Sequence, residues 1–283
     1  MALTACAPTA PLARDAAPVP AAATLAADDN LNAVLWVQTA QEYRALTEQT
    51  WRLAARNLDR ALADKQWTAL LPGEGAEQQN PALPPAVVVD VDETVLDNSP
   101  YQARLVHDGA SFSDAGWAAW VAERKAKPVP GALAFARAAA AKGVTMIYIS
   151  NRTQDMKADT LANLRAVGFP VADDSVYLGL GIEVPGCKPH GSEKGCRRIA
   201  VASKYRVLMQ VGDQITDFGQ ISANVRSQRD ALLDGHVDWI GERWYMLPGP
   251  TYGGYEPAAF DNNWKLPVHT RRAAKHAALE TAR

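Results

Sequence analysis

Four acidic residues fall within eight positions of VVVDVDETVLDNSPY, where Asp90, Asp92, Glu93 and Asp97 follow three consecutive valines. A run of β-branched residues reads as a buried strand, and unpaired charge at the end of such a strand is costly. Two further apolar runs end in polar groups: one in Ser150-Asn151-Arg152, the other in Gly212-Asp213 with Asp217 four residues on, and Lys194 lies between them. If neighbouring strands bring these ends together, carboxylates ~4 Å apart repel by about 4 kcal/mol at an effective dielectric of 20. Such a cluster requires a counter-cation. A hard divalent ion with oxygen ligands, Mg²⁺ being the expected one, and the Lys194 ammonium meet that need. Taken singly, each residue has an ordinary alternative: Asp90 and Asp92 as solvated strand-end acids, Ser150 as a turn residue, Lys194 as a surface charge beside Arg197 and Arg198. The ordered set does not fit that alternative. Glu93 and Asp97 read as turn and capping groups.

The elements that must carry these residues can be read from hydrophobic pattern. Residues 87–91, 144–150, 176–180 and 207–211 read as short buried strands, and 131–142, 155–167 and 193–204 as helices between them. Alternation of this kind predicts βαβ units, hence an α/β fold with a parallel sheet and helices on both faces. Such sheets bind ligands at the carboxyl ends of their strands. Residues 28 to about 70 carry apolar residues at helical spacing, with Asp28, Asp29 and Asn30 as candidate N-caps, and the Gly/Pro-rich loop 71–85 follows. The expected division is an N-terminal helical segment (28–85), a core (86–247) with a flap at about 98–128, and a C-terminal segment (248–283). The N-terminal helices, the flap and the C-terminal segment are expected to form a smaller, mainly helical subdomain over the strand ends. The flap holds Tyr101, Phe112, Trp117 and Trp120, too aromatic for a linker.

DVDET, a strand ending in SNR, a downstream lysine and GDQITDF, in that order, resemble the four motifs of the haloacid-dehalogenase (HAD) superfamily. DDNLNAVLWVQTAQEYRALTEQT, LDNSPYQ and MLPGPTYGGYE extend the likeness to the bacterial class C acid phosphatases, over residues 28 to about 260. The resemblance implies a HAD-like Rossmannoid fold and a Mg²⁺-dependent phosphomonoesterase acting on 5′-nucleotides and aryl phosphates. It implies Asp90 as the nucleophile that forms an aspartyl-phosphate, and Asp92 as general acid and then base, a role that an acidic optimum would suit. It implies a metal held by the Asp90 carboxylate, the Asp92 carbonyl and Asp213, with Asp217 in support. Ser150 and Lys194 would meet the phosphoryl group, Asn151 would add a donor, and Trp117, Tyr252 and Tyr101 would grip a base or aryl ring. Trp120 and Trp244 are expected in the core. Arg152 has no assigned role. The loop from Cys187 to Cys196 is longer than the family pattern, which bears on the lysine assignment.

The 283 residues are 48% apolar with a net charge of −2, enough for a full core and too little charge to bind a nucleic-acid polymer through bulk field. No apolar run approaches the ~18 residues of a membrane span. Cys6 closes LTAC, which resembles a bacterial lipoprotein box; only five residues precede it, too few for the basic and apolar parts of a signal, so a shortened start is expected. A chance N-terminal cysteine is the alternative. The Ala/Pro-rich stretch that follows, with residues 1–27 as a whole, suits a tether between a lipid anchor and a folded body. Ala7 in place of an aspartate favours the outer membrane, with the catalytic domain soluble and facing the periplasm. There Cys187 and Cys196, nine positions apart, are expected to form a disulfide, against free thiols in a cytosolic loop. Two further readings stand beside hydrolysis: a non-catalytic surface lipoprotein that binds a ligand on this fold, and phosphotransfer to another alcohol.

Overall fold

The computed structural model describes residues 27–78 and 80–282. Cys6 and nearly all of the Ala/Pro tether lie outside them. In chain order the elements are α1 (Leu31–Thr39), α2 (Gln41–Ala63), β1 (Pro85–Val89), β2 (Leu96–Asp97), α3 (Ser99–Asp108), α4 (Asp114–Glu123), β3 (Lys127–Pro128), α5 (Ala132–Ala141), β4 (Thr145–Thr153), α6 (Lys157–Ala166), β5 (Tyr177–Leu180), α7 (Gly195–Ala202), β6 (Arg206–Gly212), α8 (Arg226–Asp234), β7 (Trp244–Met246), α9 (Tyr255–Ala258) and α10 (Val268–Ala277), with short 3-10 turns between some of them.

Five strands pair in the order β5-β4-β1-β6-β7, every pair parallel. The central stretches of these strands are apolar because helices cover the sheet; all seven positions of β6 are buried, and β4 is exposed only at Asn151 and Thr153 near its end. Helices α2 and α5 pack on each other, α2 also on β6 and β7, while α7 rests on β4 and β6 and α6 on β5. Trp51 of α2 meets Phe135 of α5 with ring centroids 5.1 Å apart. Burying one such ring stabilises by roughly 1.5–3 kcal/mol. The buried Arg206 on β6 donates to the carbonyls of Ala61, Leu62 and Asp64 at 2.9–3.2 Å, so acceptors at the C-terminus of α2 are satisfied by a side chain from the sheet.

The helical periodicity of the N-terminal segment is interrupted at Ala40, whose backbone is extended (φ −75°, ψ 128°) and separates α1 from α2. The two helices have different partners: α1 lies on α3, joined by Gln38 to Ser99 and Asn30 to Gln102, whereas α2 lies on the sheet layer. Asn30 occupies the N-cap position of α1 but spends its amide on Gln102. The flap consists of α3 and α4 between β2 and β3, which pair antiparallel. At the other end of the chain Arg272 and Lys275 of α10 ion-pair with Asp29, drawing the C-terminal segment to the start of α1.

Candidate active site

β1 lies at the centre of the sheet, so the residue after it is flanked by the ends of β4 and β6. That residue is Asp90, 7% exposed, its N–H donating to Val211 O at 2.9 Å. The Lys194 ammonium, at the N-cap of α7 and 5% exposed, donates to Asp90 Oδ1 and to Asp217 Oδ1, the latter at 2.7 Å. Carboxylate oxygens of Asp90, Asp213 and Asp217 all lie within 4.8 Å of one another. Two glycines make room for them. A Cβ on Gly212 would collide with the Asp217 carboxylate, and one on Gly249 with that of Asp213, so both backbones approach where no side chain fits.

Burial pushes the Asp90 carboxyl up from 3.8 to about 7; Lys194 pulls the other way, and Asp217 and Asp92 add to the rise. Asp213 is raised well above the carboxylate range by burial, then by Asp217 and Asp90. Burial alone would lower the Lys194 ammonium, but Asp217 and Asp90 outweigh it and hold it above its ordinary value. When all three carboxylates are ionised, one ammonium leaves negative charge uncompensated. Clustered oxygen donors with excess negative charge fit a hard divalent cation, and Asp90, Asp213 and Asp217 are the side chains placed to hold it. Asp217 thus stands within the acidic group itself.

The Asp92 side chain is engaged elsewhere. Its Oδ1 accepts from Arg152 Nε and Nη2 at 2.9 and 2.8 Å and from Asn98 Nδ2 at 2.9 Å; its Oδ2 meets Ser150 Oγ at 3.4 Å. Ser150 Oγ also accepts from Arg152 N at 3.0 Å. Asn151 is exposed, and its Oδ1 accepts from Arg197 Nη2 at 2.6 Å. Arg197 donates through Nη1 to Ser150 O at 2.5 Å and through Nη2 to the carbonyls of Ser192 and Glu193, tying the end of β4 to the loop that delivers Lys194. A disulfide joins Cys187 in that loop to Cys196 in the first turn of α7.

The aromatic residues gather at the edge of this network. Trp117 on α4 is half-buried, with the Arg152 guanidinium 5.3 Å from its ring centroid and Tyr101 edge-on at 5.2 Å. Tyr101 is buried behind it. Tyr252 reaches in from the C-terminal segment and donates its hydroxyl to Glu93 Oε2, while Glu93 Oε1 accepts from Asn98 N at 2.9 Å. Burial, then Asp92 and Asp213, raise the Glu93 carboxyl, and its backbone is held at φ 57°. Asp97 accepts from Ser99 N at 2.8 Å, a turn contact. Trp120 and Trp244 are buried; Trp120 Nε1 donates to Asn98 Oδ1 at 2.8 Å. Sequence reasoning gave no role to Arg152, Arg197 or Asn98. Arg152 and Asn98 were within the motifs already singled out, but the direction of a side chain is not a property of motif spacing.

Residues 9–255 match a family model described as HAD superfamily, subfamily IIIB (acid phosphatase). The fold is similar to the crystal structure of a class C acid phosphatase from Bacillus anthracis with tungstate bound, at 30% identity and TM-score 0.76, and to another structure of that class C acid phosphatase at 31% and 0.77. Each match covers 90% of this chain and 98% of the other. Two Glycine max proteins, a stem 31 kDa glycoprotein and a stem 28 kDa glycoprotein, are 26% and 28% identical over 166 and 167 residues. The chain spans 58% of the length of each of these curated relatives.

Proposed function

This chain belongs to the HAD superfamily, subfamily IIIB, a family of acid phosphatases, and on that premise we propose that it hydrolyses phosphate monoesters with Asp90 as nucleophile. The observation that carries the reading is Asp90 itself, buried at the end of the central strand, touching Lys194 and clustered with Asp213 and Asp217. A carboxylate in that position attacks an anionic ester only if positive charge offsets the repulsion. A bound divalent ion, for which Mg²⁺ is the candidate, supplies part of that charge; Asp90, Asp213 and Asp217, with the Asp92 carbonyl, would hold it. Lys194 supplies the rest.

In the proposed sequence an Asp90 oxygen forms a bond to phosphorus as the ester P–O bond breaks. The proton on Asp92 passes to the departing oxygen, which leaves as an alcohol. Water then attacks the aspartyl-phosphate, gives its proton to Asp92, and releases inorganic phosphate and the Asp90 carboxylate. In this reading Ser150, once its hydroxyl leaves Asp92 Oδ2, and Asn151, through its side-chain amide N–H, donate to phosphoryl oxygens. For the leaving group the reading is a flat ring, a nucleoside base or an aryl group, against Trp117, with Tyr252 opposite and Tyr101 bracing the wall. Stacking of this kind is worth about 1–3 kcal/mol per base, so Trp117→Ala should raise KM for AMP by about tenfold. An unchanged KM for both AMP and an aryl phosphate removes the stacking role. Among the described residues no helix is long and apolar enough to cross a membrane. A lipid on Cys6 and an outer-membrane site remain part of the proposal, resting on the LTAC sequence.

The test is phosphate release from nucleoside monophosphates and aryl phosphates, with and without EDTA, beside Asp90→Asn. The reading expects metal-dependent release by the parent and none by the variant; no release from any substrate would turn it toward ligand binding alone.

A further inference from the structure

Arg152 is 2% exposed and lies at the end of β4, two residues beyond Ser150. Its guanidinium hydrogen-bonds to Asp92 and not to Asp90. Nε and Nη2 both donate to Asp92 Oδ1, Nη1 donates to Thr160 Oγ1 at 3.2 Å, and Nη2 also reaches Asn98 Oδ1 at 3.3 Å. Asn98 brings a third donor to Asp92 Oδ1 and is itself held by Trp120 of the flap. Three N–H groups therefore converge on one carboxylate oxygen, while among the described residues the other meets only Ser150 Oγ, at 3.4 Å. An oxygen already accepting three donors has no place for an acidic hydrogen. The geometry assigns the proton-carrying role to Oδ2.

We propose that Arg152 is a positioning residue for leaving-group protonation: it locks Asp92 through Oδ1, so that Oδ2 faces the departing oxygen. This rests on the reading of Asp92 as general acid given above. The guanidinium also lies against Trp117, so the aromatic wall of α4 and the Asp92 carboxyl are braced by one group. An isolated buried ion pair is weak evidence of a stabilising role. The directional convergence on a single oxygen of an acid-base residue is what points to orientation.

The experiment measures kcat/KM, which reports the first bond cleavage, for phosphate esters of graded leaving-group basicity in the parent, Arg152→Gln, Arg152→Lys and Asp92→Asn. A 2,4-dinitrophenolate leaves without a proton; the alkoxide of glycerol phosphate does not. General acid catalysis is worth about 10²–10⁴-fold, so Arg152→Gln should lose about 100-fold on glycerol phosphate and under about fivefold on 2,4-dinitrophenyl phosphate. Inhibition by orthophosphate should move less than about threefold, because the guanidinium does not hold the phosphoryl group. Arg152→Lys, which keeps the charge without the fork, should fall between and carries the same comparison should the glutamine variant not fold. Equal losses on every ester, no loss, or an orthophosphate constant raised more than about tenfold would overturn the assignment. A selective loss in Asp92→Asn alone removes the role of Arg152 and leaves the acid in place. A uniform loss in Asp92→Asn removes both.

Discussion

At the scale of single residues the site is governed by the mismatch between three clustered carboxylates and one ammonium. Asp90 is raised to about 7 by burial, with Asp213 and Glu93 raised in the same direction. Between pH ~4 and ~7 the folded protein then keeps protons that the unfolded chain has lost, so without metal its stability falls as pH rises through that window. Melting in EDTA should accordingly occur a few degrees lower at pH 7 than at pH 5, about what one to two kcal/mol produces, and saturating Mg²⁺ should flatten the difference by favouring the ionised carboxylates. A melting temperature in EDTA that rises over the same interval contradicts this charge arrangement. Lys194→Met removes the only ammonium that touches Asp90 and Asp217 among the described residues, and stranding buried charge costs about 3–5 kcal/mol. The same change should lower kcat by about 10²–10³-fold, and urea unfolding beside initial rates would separate the two effects. Asp90, Ser150, Lys194 and Asp213 were legible because each follows an apolar run or sits in a fixed order. The contacts of Asp92 were not, since Arg152 and Asn98 reach it through side-chain torsions that no spacing encodes.

At the scale of elements, the strands were legible where they are continuous apolar runs. β7 was not, because its three residues follow Glu242 and Arg243 and pair only at the edge of β6. The break at Ala40 was equally hidden: alanine is a good helix former, and the interruption comes from α1 and α2 packing on different layers. The segment that delivers Lys194 is fixed at both ends, by the Cys187 to Cys196 bridge and by Arg197. In the chain-entropy account a loop this short contributes about 2.5–3 kcal/mol. Reduction, or Cys187→Ser with Cys196→Ser, should lower unfolding stability by up to that amount and reduce kcat more than it raises KM, since Lys194 loses its anchor. Full activity in the reduced protein would show that α7 and Arg197 suffice. The C-terminal segment is tested by Gly249→Ala, whose Cβ would press on Asp213. The expected outcome is a higher Mg²⁺ requirement for phosphate release with little change in melting temperature.

For the molecule as a whole, net charge of −2 provides no long-range attraction for an anionic ester, so binding must be decided within the site. Asp90, Asp92, Glu93, Asp213 and Asp217 outnumber Lys194, Arg152 and Arg197, and both arginines already have acceptors in the protein. At a pH where these acids are ionised and no divalent ion is bound, the pocket carries no surplus positive charge with which to draw a phosphate. Chelation should therefore impair binding as well as chemistry. Orthophosphate should protect the protein thermally in Mg²⁺ and lose most of that protection in EDTA. At a ligand concentration 100 times its dissociation constant, protection amounts to about 2.7 kcal/mol, enough to shift a domain of this size by several degrees. Readdition of Mg²⁺ should recover both protection and turnover, whereas Ca²⁺, which takes more ligands at longer distances, should recover less turnover than protection. Undiminished protection by orthophosphate in EDTA would mean that Lys194 and the strand-end donors bind the anion without help, and the charge balance argued here would be wrong.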